Sequence, residues 1–253
     1  MLKLELSDQV EKFRAEFRAW LDSNPPPVLT LTSLDDFIDC GREWQRKLAK
    51  GGWVAVHWPS KFGGRSLSLV EEAVVQEELV RVNSPQRLGL FGLTMVGPVL
   101  IAHGTSAQRE KFLSRIRDAS DIWCQGFSEP GAGSDLAAVK TRAEDAGDMF
   151  VVSGQKVWTS FAQIADWCFL LCRTSDEDKP HRGLTYLLLD MKSKGVSTRP
   201  LTQISGDNEF NELFLDEVPV PKENVVGQIG DGWQIAISTL MYERVVLTFA
   251  RQL

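Results

Sequence analysis

The hydrophobic period of this chain changes twice, and each change removes whole fold classes from consideration. Behind Ser7, the residues Val10, Phe13, Phe17, Trp20 and Leu21 recur at helical spacing, and Pro25-Pro26-Pro27 closes the run. A second helix is expected over Leu34–Lys50, stopped by Gly51-Gly52. After the turn-rich loop "WPSKFGGRS", further helices are expected over Leu67–Arg81, Leu88–His103 and Ala107–Arg115. From Ile122 the pattern shortens. "IWCQGFS", "MFVVSGQKVWTS", "DWCFLLCRT", "GLTYLLLDM" and "FNELFLDEV" read as strands, with a hairpin turn at Asp145–Asp148 around Gly147. Pro219 and Pro221 are expected to end strand character. After Gly232 the helical period returns through Ile235, Ile237, Leu240, Val245, Val246 and Phe249, and the uncapped apolar pattern runs to Leu253.

The expected architecture is therefore α+β and multidomain. An all-α domain would cover 1–120, a β-barrel or sandwich domain 121–230, and the incomplete start of a C-terminal helical domain 231–253. A length of 253 residues is enough for a substantial core. A net charge of −6 leaves no electrostatic footprint for nucleic acid. No stretch approaches a membrane span, and "MLKLELSDQVEKFRAEFRAWL" lacks the apolar region of a signal peptide. The four cysteines form no C-x-x-C pair, and only three histidines are present, so neither a metal site nor a disulfide framework is expected. Cys168 and Cys172, four apart in an apolar run, would share one strand face as buried thiols in a reducing, cytoplasmic setting. His57, His103 and His181 read as isolated loop or surface residues.

"QGFSEPGAGSDLAAVK", Gln125 to Lys140, is the densest cluster of turn formers. It lacks the G-K-[ST] of a phosphate loop, and Leu136 stands where a dinucleotide fingerprint needs its third glycine. Pro130-Gly131 and Gly133 keep side chains away, so backbone N–H groups could face an anion, with hydroxyls from Ser128 and Ser134 beside them. The same residues also suit a plain turn, with Ser134 or Asp135 capping a short helix. The residues alone leave both readings open.

The stretch resembles the signature of acyl-CoA dehydrogenases. "GGWVAVHWPSKFGG", "EELVR", "GTSAQREKFL", "GQKVWTS", "RGLTYLLLDM" and "FNELFLDEVPVPKENVVGQIGDGW" follow in that family's order, so the resemblance covers essentially the whole chain. It implies an N-terminal helical domain, a middle β domain and a C-terminal four-helix bundle, of which this chain would carry the first helix. It also implies FAD as cofactor, an acyl-CoA substrate dehydrogenated to the trans-2-enoyl thioester, an electron-transfer flavoprotein as acceptor, and a homo- or hetero-oligomer. Gln125, Phe127, Ser128, Gly133 and Ser134 would run along the flavin, with Ser134 also near the acyl-CoA. Trp158, Thr159 and Ser160 would form the second flavin segment; Ser160 replaces a common threonine and keeps the hydroxyl. In a subset of members the catalytic base lies on the first bundle helix, which points to Glu243, flanked by substrate-contacting Tyr242 and Arg244. In other members it lies further on, beyond Leu253. Glu129 and Asp135 are assigned to structure. An oxidase on the same fold and a non-catalytic subunit of a hetero-oligomer are the alternative readings.

Overall fold

A computed structural model describes residues 6–28 and 33–251, with backbone alone for 245–251. Five helices lead: α1 (Asp8–Ser23), α2 (Leu34–Lys50), α3 (Leu69–Arg81), α4 (Gly97–His103) and α5 (Ser106–Arg117). Their starts follow from capping chemistry. Ser7 and Ser33 accept from backbone amides at the N-termini of α1 and α2, and Ser68 and Thr105 close capping boxes on α3 and α5. Ser68 therefore moves the start of α3 from the expected Leu67 to Leu69. The helix expected from Leu88 begins at Leu90, and Gly92–Val96 is a π-helical stretch running into α4. Val10, Phe13, Phe17 and Leu21 of α1 are buried, with Phe17 and Trp53 rings 4.6 Å apart.

Seven strands follow: β1 (Trp123–Gly126), β2 (Arg142–Asp145), β3 (Met149–Ser160), β4 (Trp167–Arg173), β5 (Leu184–Asp190), β6 (Val196–Leu201) and β7 (Phe210–Pro221). They form one mixed sheet in the order β1-β4-β2-β3-β7-β6, with β5 also on β4. β1 runs parallel to β4, while the long β3–β7 pair is antiparallel. β4 and β5 are buried on both faces, which explains their unbroken apolar runs. Phe169, Leu171, Tyr186 and Leu188 face the helices, whereas Cys168, Leu170, Cys172, Leu187 and Leu189 fill a second core inside the curled sheet. Burial pushes the thiol of Cys172 up to about 12 and that of Cys124 well above its ordinary value. Cys40 is only half-buried.

Three expectations need correction. Pro219 and Pro221 do not end the strand; they pair with Val151 and Met149 inside β7. β6 accompanies β7 only as far as Leu215, so the edge beyond it is open and can take residues that lack an N–H. His57 is not an isolated surface residue, because Nδ1 lies 3.1 Å from Oε2 of the buried Glu72 on α3. Ile237 is 42% exposed, since two residues carry it across the helix from the buried Ile235. It belongs to α6 (Gly232–Arg251), which packs on β5, α3 and α4. The side chains of Val245, Val246 and Phe249 lie outside the described residues.

Candidate functional site

Two segments of the sheet come together at one corner. Past the end of β1, the carbonyl of Ser128 accepts from the backbone N–H of Val157 at 2.9 Å, which brings the loop after β1 against β3. Ser128 thus meets the residue just before Trp158, and the Phe127 carbonyl meets Lys156, while Gln125 pairs with Phe169 of β4. Gly126 is fixed by close approach: a Cβ there would stand 2.7 Å from Cys168 Sγ. The glycine stretch then folds into a tight turn, in which Glu129 and Ala132 exchange backbone hydrogen bonds of 2.9 and 3.0 Å around Pro130-Gly131. A short 3-10 turn at Leu136–Ala138 follows, with no side-chain cap from Asp135 or Ser134. At Gly131 and Gly133 an added Cβ would meet nothing within 4 Å, so the chain's own packing demands neither glycine.

A buried ion pair holds the corner. Lys156 is fully buried, and its Nζ donates to the Phe127 carbonyl at 3.0 Å and to Glu129 Oε1 at 2.9 Å. Glu129 also accepts from the backbone N–H of Lys140 (2.7 Å) and Thr141 (2.8 Å). Desolvation alone would raise the Glu129 carboxyl, but the Lys156 charge and these donors hold it below its ordinary value. Burial lowers the Lys156 ammonium, and Glu129 opposes that fall. Glu129 is structural, as its sequence context implied. Lys156 went unremarked in the sequence, although a charge at an inward position of a strand is itself a signal.

Trp158 breaks ordinary packing rules. Its side chain is 61% exposed, and its backbone is left-handed at φ +62°. It sits where β3 gains a residue on β7, between Lys156 and Thr159. One edge contact steadies the ring, with the Phe210 centroid 6.0 Å away. Next to it Thr159 is fully buried, yet among the described residues its Oγ1 has no partner, and neither does Oδ1 of the buried Asn211 opposite. Ser160 is nearly buried, Ser128 half-buried, and Gly133, Ser134 and Asp135 are exposed. An exposed indole on a strained bulge, polar atoms left unsatisfied and an open glycine turn fit a large planar ligand that carries anionic groups. A cleft of ≈ 300 Å³ adjoins, lined by Leu79, Leu90, Arg87, Phe161 and Glu209 among others.

Tyr242, Glu243 and Arg244 stand apart on α6; Tyr242 and Glu243 are half-buried and Arg244 is exposed. A chain of contacts links that helix to the corner. The Phe127 ring meets Tyr186 edge-on at 6.0 Å, and Thr239 Oγ1 of α6 donates to Tyr186 Oη at 3.4 Å. Glu243 follows Thr239 by four residues, which sets it one turn along the same helix face. Among the described residues no cluster could hold a metal ion, and no helix is long and apolar enough to cross a membrane.

Residues 7–119 match the acyl-CoA dehydrogenase N-terminal domain and residues 124–218 the acyl-CoA dehydrogenase middle domain. The acyl-CoA dehydrogenase IpdE1 of Mycobacterium tuberculosis is 45% identical over 96% of this chain and 65% of its own length. Its namesake in Mycolicibacterium smegmatis is 43% identical over 97% of this chain and 67% of its own length. The solved Tcur3481-Tcur3483 steroid ACAD superposes with a TM-score of 0.82 at 31% identity, covering 98% of this chain and 65% of that one. This chain thus spans about two thirds of the length of these relatives.

Proposed function

From the premise that this chain belongs to the acyl-CoA dehydrogenase family, we propose that it holds FAD at the β1–β3 corner and takes part in the α,β-dehydrogenation of an acyl-CoA. The carrying observation is Trp158, held exposed in a left-handed bulge beside the Ser128 segment. Members of the family are in general FAD-dependent. When bound, FAD supplies the two-electron acceptor for a hydride leaving the β-carbon.

The chain's own residues bind and orient. Trp158 flanks the flavin ring, and Phe127, Ser128, Thr159 and Ser160 line it with hydroxyls and backbone. Gln125 starts that strand edge, and the turn carrying Gly133 and Ser134 accommodates the pyrophosphate and the thioester end of the substrate. Lys156 and Glu129 keep the two segments in register. Glu243 takes the α-proton, since a carboxylate on a half-buried helix face can serve as general base, and Tyr242 and Arg244 flank the substrate. The adjoining cleft offers Leu79, Leu90 and Phe161 to an acyl group. A bulky acyl group fits the likeness to a protein titled a steroid ACAD. Electrons leave to an electron-transfer flavoprotein. Ile237 and Met241, both exposed and one turn apart on α6, give an apolar face for an oligomer contact. Four unbridged cysteines fit a cytoplasmic setting.

The test is to incubate the FAD-loaded protein with an acyl-CoA series and an artificial electron acceptor. The reading expects a product lighter by two hydrogens and reduced acceptor. Flavin-loaded protein that yields no enoyl product from any substrate would overturn it, and peroxide in place of reduced acceptor would make it an oxidase.

A further inference from the structure

Asn211 stands at an inward position of β7 in line with Leu213 and Leu215, and it is fully buried. An apolar side chain would satisfy the sheet there, so the amide answers to something else. The two hydrogens of its Nδ2 are shared among three acceptors in reach, the carbonyls of Thr159 and Glu209, both at 3.2 Å, and Oε1 of Gln163. All three acceptors belong to the segment that carries Trp158 or to the strand entry facing it. That segment is irregular three times over. β3 gains a residue between Lys156 and Thr159, and both Trp158 (φ +62°) and Phe161 (φ +59°) are left-handed. A ladder of backbone bonds holds regular strands, but it is displaced at a bulge. Pairing resumes just past the bulge at Thr159↔Asn211 and Ser160↔Phe210, the Phe161 amide donates to the Glu209 carbonyl at 2.8 Å, and the Asn211 side chain adds its own donors at this point of return. Asn211 Oδ1 has no partner among the described residues, so the amide is oriented by its donors alone.

We propose that Asn211 is a positioning residue for the cofactor: its buried amide fixes the bulge that presents Trp158, Thr159 and Ser160, and thereby sets how tightly FAD is held. This rests on the reading of that corner as the flavin site. Asn211 acts through the backbone of Thr159 and through Gln163, without touching the flavin itself. Its removal lets the strained segment relax and leaves the rest of the sheet, anchored by β4 and β5, in place.

The experiment compares wild type, Asn211→Leu and Asn211→Gln. Leucine places an apolar residue at the inward position and removes the donors, whereas glutamine keeps the amide. FAD affinity is read by quenching of flavin fluorescence, and local order by amide hydrogen exchange. Asn211→Leu is expected to bind FAD about tenfold more weakly, the effect of one or two lost hydrogen bonds. Exchange should quicken at Thr159–Gln163 while β4 and β5 stay protected, and Asn211→Gln should recover part of the affinity. Wild-type affinity in Asn211→Leu would overturn the proposal, and so would a loss of affinity accompanied by equal loss of protection in β4 and β5. Asn211→Asp, equal in size, carries the same comparison if the leucine variant does not fold. A wild-type protein that binds no FAD would overturn the parent reading and this one with it; normal wild-type binding with an unaffected leucine variant would overturn this one alone.

Discussion

The helical segment and the β1–β3 corner treat awkward residues in opposite ways. Among the helices, Glu78, Glu72 and Gln45 are buried and closed inside the chain, while Arg117 Nε on α5 is buried with no partner among the described residues. Glu78, 1% exposed, receives Arg14, Arg18 and Arg81 at 2.6–2.8 Å. Glu72 receives Gln76, Arg87 and the His57 ring. Gln45 uses both ends of its amide, donating to the Ile116 carbonyl and accepting from Gly89 N–H. At the corner, Trp158 is exposed and left-handed, and Thr159 Oγ1 beside it has no partner among the described residues. An unpartnered atom alone does not mark a site, because the indole N–H groups of Trp53, Trp58 and Trp123 also lack partners among the described residues. What distinguishes the corner is that exposure, strain and unmet hydrogen bonds fall on adjacent residues. Residues of the first kind serve the fold, and residues of the second kind are the ones we propose for the ligand.

That division can be broken by substitutions that should move either function or stability, with one at the ion pair that should move both. Glu243→Gln carries the largest expected effect, a drop in turnover of about 10²–10⁴-fold with FAD binding and melting temperature unchanged; dye-reduction kinetics on the flavin-loaded protein check it, and a fully active variant would remove Glu243 as the base. Lys156→Met is expected to move both, because it leaves Glu129 as a buried unpaired charge. Denaturant unfolding should show a loss of about 3–5 kcal/mol together with weakened FAD binding.

Glu78 sharpens the helical side. Desolvation would raise its carboxyl, but the three arginines bring it from 4.5 to about 2. A depressed folded-state value contributes stability that is present above the unfolded value and lost as pH falls toward about 2. Between pH 5 and 2, wild type should therefore lose up to about 3 kcal/mol that Glu78→Gln does not lose, measured by unfolding at each pH. The smallest effect belongs to Trp158→Gly. Relief of left-handed backbone offsets the lost Phe210 contact, so stability should stay within about 1 kcal/mol of wild type. FAD affinity should nevertheless fall about tenfold, as expected for a residue placed for a ligand.

Most of the helical segment was legible in the sequence because period and caps agree there. Ser7 and Leu34–Lys50 mark their helices as read. β2 and β6 were not legible. "RAED" and "VSTRPL" are short, largely exposed and lack a run of apolar residues, and neighbouring strands rather than local pattern make them strands. The resemblance singles out the residues near Trp158 as a flavin segment, but their geometry was not legible. A bulge and two left-handed residues depend on the register of β3 against β7, which no local pattern encodes. Lys156 and Asn211 did leave a trace, as polar residues at inward positions of strands. Only the fold showed what each of them holds.

The central claim is that the β1–β3 corner of this chain holds FAD. The most direct measurement is the visible absorption spectrum of the purified 253-residue chain after addition of FAD and desalting. Flavin bands should be retained at about one FAD per chain, and at a smaller share in Trp158→Gly under the same desalting. A colourless wild-type protein would contradict the claim that this corner binds the cofactor by itself.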